Sequence, residues 1–422
     1  MSVFEQIKYQ PMKLEKGNWV PHSSFPLIEN YPAIFFTDGE PFREANRWAR
    51  DKFESSIDLK TINRQMKHLN NYVSWLEENK LHWKHFPQTK RDRCLVRYRG
   101  YLMKKVKSGD YQCSTAKTNM ATVLQFYRFA QARNLINSDS PLWKDKTKTI
   151  QFYDPLGFSR TMNVMTSELS IPCRKQAYSS VEGGLLPITG ENREKLLNFL
   201  YDTGKEQLYL MHTLGFFCGL RSETIRTLTI ETVENAIDDP LIPQFKTFQV
   251  GSGTKVKTKY NVSGWILIHE TIWEKLVNYY YSDNAIFRRL KADDKNKNII
   301  FLTSFGNPYG ESTFTKLMSD LRVELVEKGL SQFGNFKFHQ SRATYGTMLM
   351  KIMLESLPPS NAIAFVRDAM LHKNESTTWG YIKFLETTEA KAQFADEFFH
   401  FFTQKDKSAN EQYIDQLINH ET

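Results

Sequence analysis

Residues 137–186 lack the helical spacing of apolar residues that marks the sequence on both sides of them. Pro141, Pro155 and Pro172, a lysine-rich KDKTK run and an SVEGG stretch lie in this range, and prolines and glycines interrupt helices. A chain of 422 residues is also longer than a domain with a single hydrophobic core usually is. The sequence therefore predicts two domains joined by a linker over residues 137–186, some of which packs on a domain or contacts a partner, since it is long for a linker.

The N-terminal residues 1–57 are rich in helix-breaking prolines. These are Pro11, Pro21, Pro26, Pro32 and Pro41. They predict an irregular arm with a short helix near residues 44–52. No feature of this arm indicates a specific function, although contact with a partner is compatible with it.

Residues 58–136 have the pattern of a helical domain. Thr61 is a candidate cap for a first helix, whose apolar positions follow helical spacing; they are Ile62, Met66, Leu69, Val73 and Leu76. A second helix is predicted over residues 91–105, and Ser114 or Thr115 opens a third. The Met and aromatic positions of these helices fall at core spacing, which favours packing over ligand stacking.

The positive charge of the chain is concentrated in this helical region. Residues 51–135 carry 17 Lys and Arg against 7 Asp and Glu, while the whole chain has a net charge of +9. A compact basic domain beside a nearly neutral one is typical of nucleic-acid binding. A solvated basic face without a partner is the alternative that charge alone leaves open.

Residues 187–403 predict a second domain that is mainly helical with a small β-sheet. Helices are expected over residues 194–201, 206–217, 270–281, 313–328, 343–354 and 362–371. Strands are expected over residues 245–250 and 262–268, with a shorter one at 299–302. An aromatic amphipathic run follows, with Phe394, Phe398, Phe399 and Phe402. We expect this run to dock on its own domain or on a neighbouring subunit. Residues 404–422 are predicted to be a C-terminal tail.

Two basic features of this domain are candidates for anion contacts. Arg221 follows a Gly-Leu pair at a predicted turn, where it is either held inward toward an anion or is a surface arginine that opens a helix. Lys255 and Lys257 lie in a Gly-rich connection between the two strands. That connection is either simply soluble and mobile, or it delivers one lysine to a phosphate or a leaving oxygen.

The residue types between His339 and Tyr381 suit phosphodiester chemistry. His339 and Arg342 form a His-x-x-Arg pair, and His372 precedes Tyr381 by nine residues. A guanidinium binds phosphate oxygens in a bidentate manner, imidazoles transfer protons near neutral pH, and a phenol oxygen can act as a covalent nucleophile. Taken singly, these histidines are more often core residues and this tyrosine a packed aromatic.

The remaining composition excludes some classes of protein. No run approaches about 18 consecutive apolar residues, so a membrane span is not expected, and the N-terminus lacks an apolar signal core. Cys94, Cys113, Cys173 and Cys218 are widely spaced, which predicts reduced, buried thiols rather than a zinc site or disulfides. We expect a cytoplasmic, nucleoid-associated protein.

The order Arg221, a lysine in a β-hairpin, His339-x-x-Arg342, His372 and Tyr381 resembles the tyrosine recombinase (phage integrase) family. The helical block is similar to the core-binding domain of that family, so the resemblance covers roughly residues 58–400. It implies a mainly α, two-domain clamp on double-stranded DNA with a small β-sheet in the catalytic domain. It also implies a homo-tetramer on paired DNA sites, acting for a mobile element, with accessory proteins as further candidate partners.

The resemblance assigns a role to each candidate residue. Arg221 and Arg342 would bind the nonbridging oxygens of the scissile phosphate, and Tyr381 would attack the phosphorus to give a 3′-phosphotyrosyl link. Lys255, slightly favoured, or Lys257 would protonate the 5′ leaving oxygen. His339 would assist proton transfer at the nucleophile, and His372 would bond to the phosphate. No metal or other cofactor is implied.

The sequence departs from the family pattern in three places. Thr224 occupies a position that is usually acidic, with Glu223 one residue early. Leu371 stands where the family usually has Gly, and the interval from Arg342 to His372 is longer than usual. These departures indicate a divergent member. A type IB topoisomerase-like or hairpin-forming resolvase is the alternative enzyme, and a DNA-binding protein without catalysis is the alternative outside enzymes.

Overall fold

A computed structural model describes residues 1–389 except for 24, 26, 138, 154–158, 174–180, 183, 374 and 376. The chain divides into two units, Met1–Lys175 and Gln176–Thr422. Each unit has its own hydrophobic core. The predicted docking of the aromatic run at Phe394–Phe402, and the tail after it, lie outside the described residues.

The described residues of unit 1 form small antiparallel hairpins and α-helices. Its elements are β1 Val3–Tyr9, β2 Met12–Glu15, β3 Asn18–Pro21, β4 Ile28–Phe35, α1 Arg43–Glu54, α2 Leu59–Glu78, α3 Cys94–Lys107, α4 Cys113–Ala132, β5 Asp145–Tyr153 and β6 Ser159–Ser167. The apolar spacing that predicts α2 is realised, with Ile62, Met66 and Leu69 fully buried. The cap of α2 is Asp58, whose carboxylate accepts from the Thr61 amide, because Thr61 already lies inside the first turn.

The N-terminal segment is not the irregular arm that its prolines predict. Strands β1 and β4 pair along their length, and Pro32 stands opposite Gln6. A two-stranded ribbon leaves one edge of each strand unpaired, so a proline without an amide hydrogen is tolerated there. Tyr31 and Ile34 on β4 are buried in the core of unit 1, which makes the segment part of this unit.

Much of the predicted linker also belongs to unit 1. Strands β5 and β6 form an antiparallel hairpin, and Leu142, Leu169 and Ile171 on either side of it are buried in the unit 1 core. Burial of these apolar side chains favours packing of the segment against unit 1. The break between the units comes at Lys175–Gln176, close to the end of the predicted linker.

The prediction of four reduced thiols is wrong for two of the cysteines. Cys113 and Cys173 form a disulfide with their Cα atoms 5.8 Å apart, within the usual range for such a bond. The two cysteines are 60 residues apart in sequence, so local spacing carries no sign of their contact. Cys94 and Cys218 are free and buried.

Unit 2 is mainly helical around one three-stranded antiparallel sheet, in the order β7-β8-β9. Its elements are α5 Gly190–Asp202, α6 Glu206–Phe217, α7 Ser222–Arg226, α8 Ile230–Glu234, β7 Ile237–Asp238, β8 Phe245–Val250, β9 Gly264–His269, α9 Glu270–Tyr280, α10 Asp283–Leu290, α11 Glu311–Glu327, α12 His339–Ser356 and α13 Pro359–Ala369. A last described helix, α14, covers residues 377–389.

The crossing of α6 and α12 fixes the position of the segment that carries His339 and Arg342. A Cβ atom on Gly215 of α6 would lie 2.3 Å from Oγ of Ser341 on α12, so only glycine allows this approach. The helix α12 begins at His339, four residues before its predicted start.

The predicted strand at residues 299–302 is reduced to single bridges, Thr229 with Ile299 and Leu302 with Pro308. Over the described part of the chain, no helix is both long and apolar enough to cross a bilayer.

Candidate active site

The first turn of α12 presents His339 and Arg342 to a common point. Residues three apart on a helix share a face, and both side chains contact the carboxylate of Glu182. Nε of Arg342 donates to Glu182 Oε1 at 2.9 Å, and Nε2 of His339 lies 3.0 Å from Glu182 Oε2. The His-x-x-Arg pair therefore forms one side of an anion-binding site.

Arg342 is buried and also serves as a structural cross-link. Its side chain is 3% exposed, and its two terminal nitrogens donate to the carbonyl oxygens of Gly219 and Met370. A buried guanidinium is stable only when its donors are satisfied. Arg342 thus joins the turn after α6 to the end of α13, the two segments that precede Arg221 and His372.

The turn at Gly219 is shaped by close packing against α12. Gly219 has a φ of 64°, and a Cβ atom there would lie 2.4 Å from the Tyr345 ring. This close approach places Arg221 at the N-terminus of α7, where Nη1 lies 3.5 Å from the carbonyl oxygen of Leu371. Burial, together with the charge of Arg342, lowers the pKa of Arg221 to about 10. Arg221 is therefore turned inward and remains a cation at neutral pH.

Leu371, which stands where the family that the sequence resembles usually has glycine, has a backbone conformation that favours glycine. Its φ is 48°, in the left-handed region that a Cβ atom disfavours. The side chain is accommodated because residue 264 is itself a glycine, where a Cβ atom would lie 2.2 Å from Leu371 Cδ2. The turn that precedes His372 is thus formed with a leucine in the left-handed conformation.

His372 is held rigidly inside the site. Its side chain is 1% exposed, Nε2 lies 2.9 Å from Glu182 Oε1, and Nδ1 lies 2.9 Å from the hydroxyl of Thr378. Burial lowers the pKa of His372 despite the Glu182 carboxylate. A neutral imidazole satisfies both contacts, since Nε2–H donates to Glu182 and Nδ1 accepts from Thr378.

Tyr381 lies on α14 with its hydroxyl directed at the same carboxylate. The side chain is fully buried, its ring stacks on His372 with centroids 6.1 Å apart, and the hydroxyl donates to Glu182 Oε1 at 3.0 Å. Burial and the negative charge of Glu182 raise the pKa of Tyr381 well above its usual value. In this state the phenol is protonated and hydrogen-bonded.

Glu182 is the residue of the site that the sequence did not indicate. Its side chain is only 7% exposed. Burial alone would raise the pKa of Glu182, but the hydrogen bonds from His339 and His372 and the charge of Arg342 outweigh it and hold this pKa well below its usual range. The site is therefore occupied by an ionised carboxylate.

The lysines between β8 and β9 make their contacts with residues outside this cluster. Nζ of Lys255 pairs with Glu231 at 3.1 Å, and the Lys255 side chain is 74% exposed. Lys257 is exposed, and its backbone amide donates to the Thr227 hydroxyl at 2.9 Å. Over the described residues, the structure brings together Arg221, His339, Arg342, His372 and Tyr381, and neither Lys255 nor Lys257 contacts them.

Comparison with known proteins identifies the fold. No protein-family model matches the sequence, and no curated protein sequence matches it significantly. A fragment of the Tn1549 transposon integrase, solved with transposon right-end DNA, matches the structure with a TM-score of 0.51 at 13% identity, covering 83% of this chain and 98% of that one. The chain has the tyrosine recombinase fold. A lambda integrase fragment bound to a core site matches with a TM-score of 0.47 at 11% identity, covering 80% of this chain and 94% of that one.

The predicted fold class is thereby confirmed as a mainly helical, two-domain tyrosine recombinase fold with small antiparallel sheets. The candidate residues lie at a turn after α6, on α12, after α13 and on α14. The helix α10 at Asp283–Leu290 was not predicted.

Proposed function

We propose that this protein is a site-specific DNA recombinase that cuts and rejoins DNA through a 3′-phosphotyrosyl bond to Tyr381. The observation that carries the proposal is the capture of an anionic group, the Glu182 carboxylate, by Arg342, His339 and His372 beside the Tyr381 hydroxyl. Donors that converge on one carboxylate also suit the oxygens of a phosphodiester. The tyrosine recombinase fold supports the same conclusion.

In the proposed reaction, the phenol oxygen of Tyr381 attacks the phosphorus and the bond from phosphorus to the 5′ oxygen breaks. Arg221 and Arg342 neutralise the charge that develops on the nonbridging oxygens. His339 accepts the phenol proton, and a lysine from residues 251–263, Lys255 or Lys257, donates a proton to the leaving 5′ oxygen. The phosphotyrosyl bond keeps the phosphoryl group activated, so attack by a 5′ hydroxyl rejoins the strand.

Unit 1 is the proposed contributor of affinity for double-stranded DNA. Exposed basic side chains lie on or beside α2, α3 and α4; they are Arg64, Lys67, Arg91, Arg97, Lys104, Lys107 and Lys117. Cationic side chains on helices bind phosphates without reading sequence. Together with unit 2 they would clamp the duplex, and a tetramer on two paired sites would exchange strands for a mobile element.

Covalent trapping on nicked DNA tests this function. Duplexes carry a nick beside the cleavage position, so the released fragment diffuses away and the protein–DNA bond persists through denaturing electrophoresis. Candidate element ends and a pool with a randomised half-site serve as substrates. We expect an adduct with the wild type and with Tyr201→Phe, an exposed matched control, and none with Tyr381→Phe. Bound DNA without an adduct for any protein would favour a DNA-binding role without catalysis.

A further inference from the structure

The turn around Glu182 is a defined structural element of unit 2. The backbone amides of Val181 and Leu185 each donate to the carbonyl oxygen of the other residue at 2.8 Å. Val181 is buried in a cluster with Ala343 and Tyr345. Glu182 follows with a φ of 43°, a conformation that residues with a Cβ atom disfavour and that surrounding contacts must hold in place.

The chain after this turn is fastened to the helix that carries His339 and Arg342. The Gln340 side chain donates to the carbonyl oxygen of Leu186 at 2.9 Å. The amide of Ile188 donates to the hydroxyl of Thr344 at 3.0 Å. Because both anchors are on α12, the turn and the phosphate-binding helix are held in a fixed relation, and the Glu182 carboxylate is directed into the site.

The position of the carboxylate conflicts with the proposed substrate. A phosphorus atom that Tyr381 attacks must approach its hydroxyl oxygen to about 3–3.5 Å. Glu182 Oε1 already lies 3.0 Å from that oxygen, and it also takes the hydrogen bonds of Arg342 Nε and His372 Nε2. The carboxylate and the scissile phosphate cannot occupy the site together.

We propose that Glu182 is an intramolecular substitute for the scissile phosphate, which satisfies Arg342 and the two histidines while DNA is absent and must withdraw before the phosphate binds. This inference rests on the proposed function for the identity of the substrate. It makes Glu182 an autoinhibitory residue, and the apparent dissociation constant for a phosphate is the intrinsic one divided by the fraction of open sites.

Isothermal titration calorimetry at pH 7, with inorganic phosphate added to the full-length protein, tests the competition without DNA. The proteins are the wild type, Glu182→Gln and a matched control, Glu191→Gln, which removes an exposed carboxylate that pairs with Lys195. The amide keeps the shape of the side chain but loses its charge-assisted hydrogen bonds. We expect phosphate affinity to rise by about tenfold or more in Glu182→Gln only. Equal affinity in all three proteins would overturn the proposal.

Kinetics on the nicked DNA separate competition from a positioning role. A competitor affects binding, so in Glu182→Gln the half-saturating DNA concentration should fall while the maximal rate of adduct formation stays unchanged. A lower maximal rate would show that Glu182 assists the reaction and would overturn the proposal. If no protein forms an adduct with any DNA, the proposed function fails, and the phosphate titration still decides the role of Glu182.

Glu182→Gln leaves Arg342 without a buried counter-charge and could therefore fail to fold. A second variant covers that case. Glu182→Asp keeps the charge near Arg342 but shortens the reach of the carboxylate. We expect a smaller gain in phosphate affinity with a normal thermal unfolding transition. A folded Glu182→Asp protein whose affinity equals that of the wild type would contradict the competition.

Discussion

The ring of Tyr381 packs directly on Gly346. A Cβ atom on Gly346 would lie 2.5 Å from Cζ of Tyr381, much closer than van der Waals contact. Gly346 and Arg342 lie four residues apart on α12 and share a helix face. The face that presents the buried guanidinium therefore also leaves the space that the proposed nucleophile needs.

Gly346→Ala should displace the Tyr381 ring and slow adduct formation on nicked DNA by about a hundredfold, because reacting groups tolerate little misplacement. The overpacked methyl group should also lower the free energy of unfolding by about 1–3 kcal/mol. Gly380→Ala is the matched control, since a Cβ atom there has nothing within 4 Å. We expect the control to react at the wild-type rate, and equal rates in both variants would refute the packing argument.

Local patterns predicted some of the helices and strands, but they predicted neither α14, which carries Tyr381, nor contacts between residues distant in sequence. Apolar spacing indicated α2 and α6, and β-branched residues indicated β8 and β9. Glu182 was missed because its partners lie 157 to 199 residues away and its own surroundings, SVEGG, have the composition of a linker. The paired strands at the N-terminus were missed because prolines argue against strands unless a ribbon edge is available.

Arg342 and Arg221 should differ in their effect on stability. Arg342→Met leaves Glu182 without its buried counter-charge and frees two carbonyl oxygens, so the free energy of unfolding should fall by about 3–5 kcal/mol. Arg221→Met removes one long contact to Leu371 and should cost at most about 1 kcal/mol. Both variants should lose adduct formation. Urea denaturation monitored by circular dichroism measures the free energy of unfolding of both variants. Equal destabilisation would argue against the cross-linking role of Arg342.

The proton donor to the leaving oxygen can be identified with a modified DNA. Lys255→Met, Lys257→Met and the control Lys259→Met are compared on ordinary nicked DNA and on DNA with sulfur in place of the bridging 5′ oxygen. A thiol ionises near pH 8.5 and leaves without a proton donor, so the variant that lacks the acid should be slow on oxygen and restored on sulfur. If the sulfur-containing DNA restores the reaction rate of neither Lys255→Met nor Lys257→Met, the proton donor is not a lysine of this connection.

The buried His212 should make unit 2 sensitive to acid. Its side chain is fully buried, Nδ1 donates to the Leu208 carbonyl oxygen at 2.7 Å, and burial lowers the pKa of His212 to about 4. A depressed folded-state pKa gives stability that is present above the unfolded pKa of about 6.5 and is lost as the pH falls toward 4. Between pH 7 and pH 5 the wild type should lose about 2 kcal/mol more than His212→Leu, as measured by urea denaturation. Parallel losses in the two proteins would show that His212 does not titrate as its burial requires.

The most direct test of the account is to identify the residue that becomes linked to DNA. The adduct from nicked DNA is digested with nuclease and protease, and the modified peptide is sequenced by mass spectrometry. Among the 19 tyrosines of the chain, the account predicts a phosphodiester on Tyr381, because its hydroxyl lies beside the anion site that Arg342, His339 and His372 form. A link to any other residue would contradict the assignment of Tyr381 as the nucleophile.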